Sequence, residues 1–275
     1  MIVPWMPKKR IAAAAAGVIE TYLSRNKQPV NPPVPIEDII EKGLDLRLSY
    51  SDLKRKLDLD DILGATYVDR KLICVDESLL RDRFEGRLCF TFAHEAGHWV
   101  LHREHIHRAC RQGANDAFIH RRRKTLELKR RNEIGISSNH KPRPEGGGAI
   151  SPDIPQPSEE SFIFCRIKDA KQKIEWQADY FAACLLMPEP AVKRAFYQCY
   201  GSGPLRLYNV KSAFSGPICF DPCVENWPQI AGRVKKIGAF TNVSNQAMII
   251  RLQDLGLVKN ETGCRMSWGA SYAVP

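Results

Sequence analysis

No stretch of this 275-residue chain approaches the ~20 consecutive apolar residues that a membrane span requires. The nearest imitation is Ile11-Ala-Ala-Ala-Ala-Ala-Gly-Val-Ile19, which follows Lys8-Lys-Arg10 as the core of a signal peptide would. It is short, alanine-rich and followed at once by Glu20, and it continues into Tyr22-Leu23 as an amphipathic helix, so secretion is not expected. A disulfide framework is missing too. The nine cysteines are odd in number and follow no regular spacing. Cys89, Cys165 and Cys184 fall in apolar runs and read as small core residues. Cys219 and Cys223 form the only close pair, a weak zinc signal without a second pair or a nearby histidine. Reduced thiols and a cytoplasmic location are the expectation, with no membrane partner.

Negative charge is also in short supply. Lys and Arg number 41 against 31 Asp and Glu, a formal net charge of +10. Residues 103–146 hold twelve of the basic residues and five of the acidic ones, so most of the excess sits in one segment and the remainder is close to balanced. Arg121 to Arg131 within it could form a charged helix that attracts nucleic acid or an acidic partner; a solvated run that keeps an insertion soluble is the plain alternative. Lys141-Pro-Arg-Pro-Glu-Gly-Gly-Gly148 and Ser151-Pro-Asp-Ile-Pro-Gln-Pro-Ser158 are too rich in Pro and Gly for regular structure.

What the chain does have is His94-Glu95-Ala96-Gly97-His98, inside Phe90 to His102. On a helix, residues four apart stack one turn above another. His94 and His98 then share a face and can hold one metal ion, with Glu95 beside them to take a proton from water. The plain alternative is a helix with two surface histidines and a solvated glutamate. A metzincin would need Gly and His at positions that here hold Leu101 and Glu104, so that reading fails. His102, four residues past His98, is a possible competing ligand, a rim residue, or a hydrogen-bond donor to a reacting carbonyl.

A second stretch, Ile174 to Pro188, is apolar nearly all round and reads as a buried helix stopped by Pro188. Glu175 and Asp179 lie one turn apart on it, and buried carboxylates are costly unless paired or metal-bound. A catalytic zinc site takes three protein ligands and leaves a fourth position to water. Glu175 can be the third ligand, and Asp179 can accept the free ring N–H of a ligand histidine. The alternative is an acid favoured by the helix dipole and an ordinary surface aspartate. Two histidines and a carboxylate suit Zn2+, and equally Mn2+ or Fe2+.

H-E-x-x-H followed by E-x-x-x-D is the arrangement of the gluzincin metallopeptidases. Arg87 to His102, Glu175 to Pro188 and, upstream, Pro32 to Leu44 resemble more specifically the ImmA/IrrE metallo-endopeptidases. The resemblance covers roughly residues 10–102 and 165–190, and more weakly 228–258. It implies a zinc-dependent endopeptidase with His94, His98 and Glu175 on the metal, Glu95 as general base and Asp179 behind a ligand histidine. It implies as substrate a transcriptional repressor carrying a helix-turn-helix domain, whose cleavage lifts repression. His102 and Tyr180 are the nearest candidates for stabilising the oxyanion. The 77 positions between His98 and Glu175 exceed the family's usual spacing, so a basic flap could reach the mouth of the site.

The fold expected is α+β: a mostly helical zincin-like core with a small antiparallel sheet, a long basic insertion and a C-terminal helical hairpin. Residues 1–105 plus 161–200 would form the catalytic domain, 106–160 a basic, partly disordered insertion, and 201–275 a C-terminal helical region. Helices are expected over 8–26, 36–42 and 78–83, and a strand over 44–50. A β-hairpin is expected at 65–68 and 72–75. In metallopeptidases such a strand beside the metal helix often lends its edge to an extended substrate, a use that needs only free backbone groups and that no residue type signals. Ile230 to Leu257 reads as two helices around a turn, with Ser244 as N-cap of the second. That hairpin looks like a helix-turn-helix, but Arg251 is its only strong base-contacting candidate. A non-proteolytic regulator that binds DNA or a repressor is the rival reading.

Overall fold

The alanine run does become a helix, α1 (Lys8–Asn26), whose Ile11, Ala15, Val18 and Tyr22 are buried along one stripe. Lys27 ends it in the left-handed conformation, its N–H bonded to the Leu23 carbonyl. The computed structural model describes residues 3–27, 29–57, 60–80, 85–111, 162–166, 173–207 and 226–261. Most of the basic segment, Arg121 to Arg131 included, and the Cys219/Cys223 pair lie outside them.

A short helix, α2 (Ile36–Asp38), runs into a π-helical turn, Ile39–Gly43. Then come β1 (Arg47–Ser51), α3 (Leu53–Leu57), β2 (Ile62–Tyr67), β3 (Leu72–Asp76) and a 3-10 turn (Glu77–Leu80). The long helix α4 (Glu85–Arg111) carries the H-E-x-x-H motif and extends past residue 106 into the segment expected to be insertion. After it come β4 (Phe162–Arg166), α5 (Lys173–Leu186), α6 (Glu189–Tyr200) and β5 (Leu205–Leu207). The described part ends with α7 (Asn226–Gly238), α8 (Asn245–Asp254) and β6 (Val258–Asn260), which pairs with β5 in parallel.

The result is a mostly helical α+β fold with a small mixed sheet, in the order β1-β3-β2-β4. The sheet was expected to be antiparallel, but β1 runs parallel to β3. The connection through α3 turns the chain over so that β2 descends, and the hairpin returns it as β3 beside β1. Neither strand of the hairpin lies at an edge of the sheet. β3 is covered by β1, and β2 by β4, a strand absent from the sequence reading. In the β2–β4 pairing the register shifts between Ile62 and Gly64. Such a bulge re-aims side chains. Ile62, Ala65 and Tyr67 pack with Leu53 and Leu57 of α3, whereas Leu63 faces the main core.

That core joins residues from Ile11 to Val258, with Phe92, Phe181, Phe196 and Phe240 fully enclosed. Helices α4 and α5 cross closely at Gly97. A Cβ there would lie 3.1 Å from the Ala178 Cα and 3.2 Å from its carbonyl oxygen. Gly97, the second unspecified letter of the motif, is therefore what lets the two motif helices meet.

The C-terminal hairpin forms as expected. Ser244 caps α8 by accepting the Ala247 N–H at 3.0 Å. Arg251, the candidate base contact, is only 3% exposed. Its guanidinium donates to the Met187 carbonyl at 3.2 Å and to Asp254 at 3.2 Å, so it is committed to packing α8 and is not presented to DNA. Among the described residues no helix is long and apolar enough to cross a membrane.

Candidate metal centre

Helical spacing puts His94, His98 and His102 in a column on the face of α4 that meets α5. All three are buried, as are Glu95, Glu175 and Gln177. The Nε2 atoms of His94 and His98 lie 2.9 Å apart. Glu175 Oε2 is 3.2 Å from His94 Nε2, and Glu175 Oε1 is 3.6 Å from His98 Nε2. The three residues thus form a buried group whose ligand atoms all lie within 4.8 Å of one another.

The hydrogen bonds around this group decide whether it suits a cation. His94 Nδ1 is 2.8 Å from Asp179 Oδ1. An ionised carboxylate only accepts, so Nδ1 donates and the Nε2 of the neutral ring is left as a bare acceptor. Glu175 Oε1 is buried and has no hydrogen-bond partner among the described residues. Burial alone would raise the Glu175 pKa, and it is positive charge at His98 and His94 that would hold the carboxyl well below the usual range; with both Nε2 atoms bare, that charge has to come from a bound cation. Acceptors therefore converge on one point, which is costly in a dry interior and is relieved by a positive ion. The donor set fits a divalent metal ion, and two imidazoles with a carboxylate suit zinc, manganese or iron alike.

Glu95, beside this group, is held by the sheet. The Thr66 hydroxyl lies 2.6 Å from its Oε2. Gly64 leaves the space for its Oε1, since a Cβ at that position would come within 2.7 Å of the atom. Oε1 itself is buried and without a partner among the described residues. Burial pushes the Glu95 pKa up, against the pull of His98, His94 and Thr66. The carboxylate is therefore fixed through one oxygen, with the other free to receive a proton.

A scan of protein-family models finds no match to this chain, and a search of curated proteins finds none either. What can be said of the site rests on its own geometry. Five residues singled out from the sequence meet here: His94, Glu95, His98, Glu175 and Asp179. The side chain of Asp179 is 42% exposed while those of His94, His98 and Glu175 are at most 5% exposed, so Asp179 is the member of the group nearest the surface.

His102 and Tyr180 stand differently. Both His102 nitrogens are engaged away from the convergence point: Nδ1 lies 3.1 Å from His98 Nδ1, and Nε2 lies 3.1 Å from Gln177 Oε1. Burial, helped by His98, pulls its pKa down to about 3, so the ring is neutral. No His102 nitrogen is left for a reacting carbonyl or for a fourth bond to an ion. The single hydroxyl proton of Tyr180 goes to Asp254 Oδ2 at 2.7 Å, on the side of α5 that faces α8. Thr66, Gly64 and Gln177 were missed in the sequence. Gln177 carried a signal, being an amide inside an apolar helix; Thr66 and Gly64 carried none, because their role follows from how β2 passes over α4.

Proposed function

We propose that the chain is a zinc-dependent endopeptidase of zincin-like architecture. In this reading His94, His98 and Glu175 are the metal ligands, Glu95 is the general base and Asp179 orients His94. The substrate is a helix-turn-helix transcriptional repressor whose cleavage relieves repression. The observation that carries the chemistry is the convergence of acceptor atoms from α4 and α5 beside a carboxylate with one free, buried oxygen. The substrate class is supported by the resemblance of the two motif helices to the ImmA/IrrE endopeptidases.

Zinc held by these residues supplies Lewis acidity, lowering the pKa of water and polarising a peptide carbonyl. Glu95 Oε1 takes the proton of the attacking water as its oxygen bonds to the carbonyl carbon, and passes that proton to the amine nitrogen as the C–N bond breaks. Thr66 keeps Oε2 occupied, so the proton is received at Oε1. The upward push of burial on Glu95 suits a group that must hold the proton between the two steps. Asp179 locks the His94 ring with Nδ1–H turned away from the ion and raises the basicity of Nε2.

The deep burial of the ligands favours a second reading, in which the ion is structural. Against it, structural zinc sites take four protein ligands, and among the described residues three converge here.

Co-expression with helix-turn-helix regulators encoded nearby tests the proposal. The native chain is expected to deplete one intact regulator, and Glu95→Gln to lower the cleavage rate by about 10²–10⁴-fold at unchanged zinc content. If Glu95→Gln kept its biological effect while neutralising Arg121 to Arg131 abolished it, a non-proteolytic DNA- or repressor-binding regulator would take its place.

A further inference from the structure

Behind His98 runs a chain of hydrogen bonds whose direction is dictated from its far end. The Gln177 amide nitrogen lies 3.1 Å from the carbonyl oxygen of Pro4, in the segment ahead of α1. A backbone carbonyl only accepts, so the amide must present its N–H to Pro4 and its oxygen to His102. That oxygen also only accepts, so His102 carries its proton on Nε2, 3.1 Å away. His102 Nδ1 is then a bare acceptor facing His98 Nδ1 at 3.1 Å, and His98 must donate from that atom. The remaining nitrogen of His98, Nε2, is left without a proton and faces His94 Nε2 and Glu175.

We propose that Gln177 and His102 are positioning residues that fix His98 in the tautomer able to bind a metal, with the Pro4 carbonyl setting the direction of the relay. The inference rests on the reading of His98 as a ligand and deepens it. His94 has a carboxylate of its own, Asp179, to do this work; among the described residues His98 has none, and the relay supplies the equivalent from neutral groups. Gln177 and His102 are fully buried, so water does not compete for these bonds. The strap that holds Pro4 in place is itself anchored. Trp5 stacks on Trp176 with ring centroids 4.8 Å apart, and Trp176 stacks on Tyr180 at 5.6 Å. Residues ahead of α1 are thereby tied to a ligand more than ninety positions away.

The test pairs long-range proton–nitrogen NMR of the histidine rings in the zinc-free chain with zinc affinity measured by chelator competition. The native chain is expected to show His98 with a proton on Nδ1 and none on Nε2. Gln177→Met, which keeps the volume and removes both polar atoms, should give a mixture of His98 tautomers and weaken zinc binding by about 10–100-fold. Gln177→Glu still offers an acceptor to His102 and should restore most of the affinity. An unaltered His98 spectrum and zinc affinity in Gln177→Met would overturn the relay. Should that variant fail to fold, the native spectrum decides, because a proton on His98 Nε2 would be equally fatal. Loss of peptide cleavage with the tautomer and affinity results intact would remove only the peptidase reading.

Discussion

Helix α5 carries two polar clusters on different faces, and they are built on opposite rules. Toward α8, Tyr180 and Arg251 both donate to Asp254, which also takes the Lys8 ammonium. Each donor finds its acceptor, and the cluster braces α1, α5 and α8. Toward α4, Glu175 meets two imidazole nitrogens that also lack protons, and Glu175 Oε1 and Glu95 Oε1 stay unpartnered among the described residues. A fold tolerates such a gathering of acceptors where an ion or a substrate completes it. Full pairing marks a brace, and convergent acceptors mark a site.

The contrast is at its sharpest in Glu175→Gln. The amide can donate to a bare imidazole nitrogen, so zinc affinity should fall by more than the roughly 100-fold typical of losing a partner one step removed from the metal. The zinc-free chain should meanwhile melt at the same temperature or higher. Arg251→Met should do the reverse. Breaking a buried ion pair costs about 3–5 kcal/mol, visible in denaturant unfolding, while zinc affinity stays as in the native chain. Thr66→Val removes one hydrogen bond to a charged group, worth about 1.5–3 kcal/mol. It should slow cleavage by roughly tenfold or more at constant zinc content, measured by peptide turnover with metal analysis.

The smallest effect expected is on acid stability. Burial alone would raise Asp254, but the hydrogen bonds from Lys8 and Tyr180 hold it below its ordinary value of 3.8. A carboxyl depressed by folding adds stability that is fully present above the unfolded value and is lost as the pH falls through the folded one. Thermal unfolding of Asp254→Asn should therefore show a shallower acid limb below about pH 4 than the native chain. An identical limb would mean that the brace contributes nothing through charge.

The two motif helices were legible because both signals are local. Imidazoles at i and i+4 fix their shared face, and carboxylates inside an apolar helix demand a partner. Ser244 and Pro188 marked helix boundaries for similarly local reasons. Pairing was not legible. The parallel β1–β3 contact depends on how α3 turns the chain, and β4 comes from residues 162–166, far along the sequence from the β2 edge it covers. His102 was visible as a third member of the histidine column. Its buried position behind His98 depends on Gln177 and on the Pro4 carbonyl, neither of which the motif contains. Arg251 shows the converse error, since a basic residue on a hairpin helix reads as a surface contact until the Met187 carbonyl and Asp254 are seen to claim it.

X-ray absorption at the zinc edge of the purified, zinc-loaded chain tests the central claim most directly. The account predicts one ion per chain with only nitrogen and oxygen donors at about 2.0–2.2 Å, two of them imidazoles, and loss of that signal in Glu175→Gln. A sulfur shell at about 2.3 Å, or a native spectrum retained in Glu175→Gln, would contradict it.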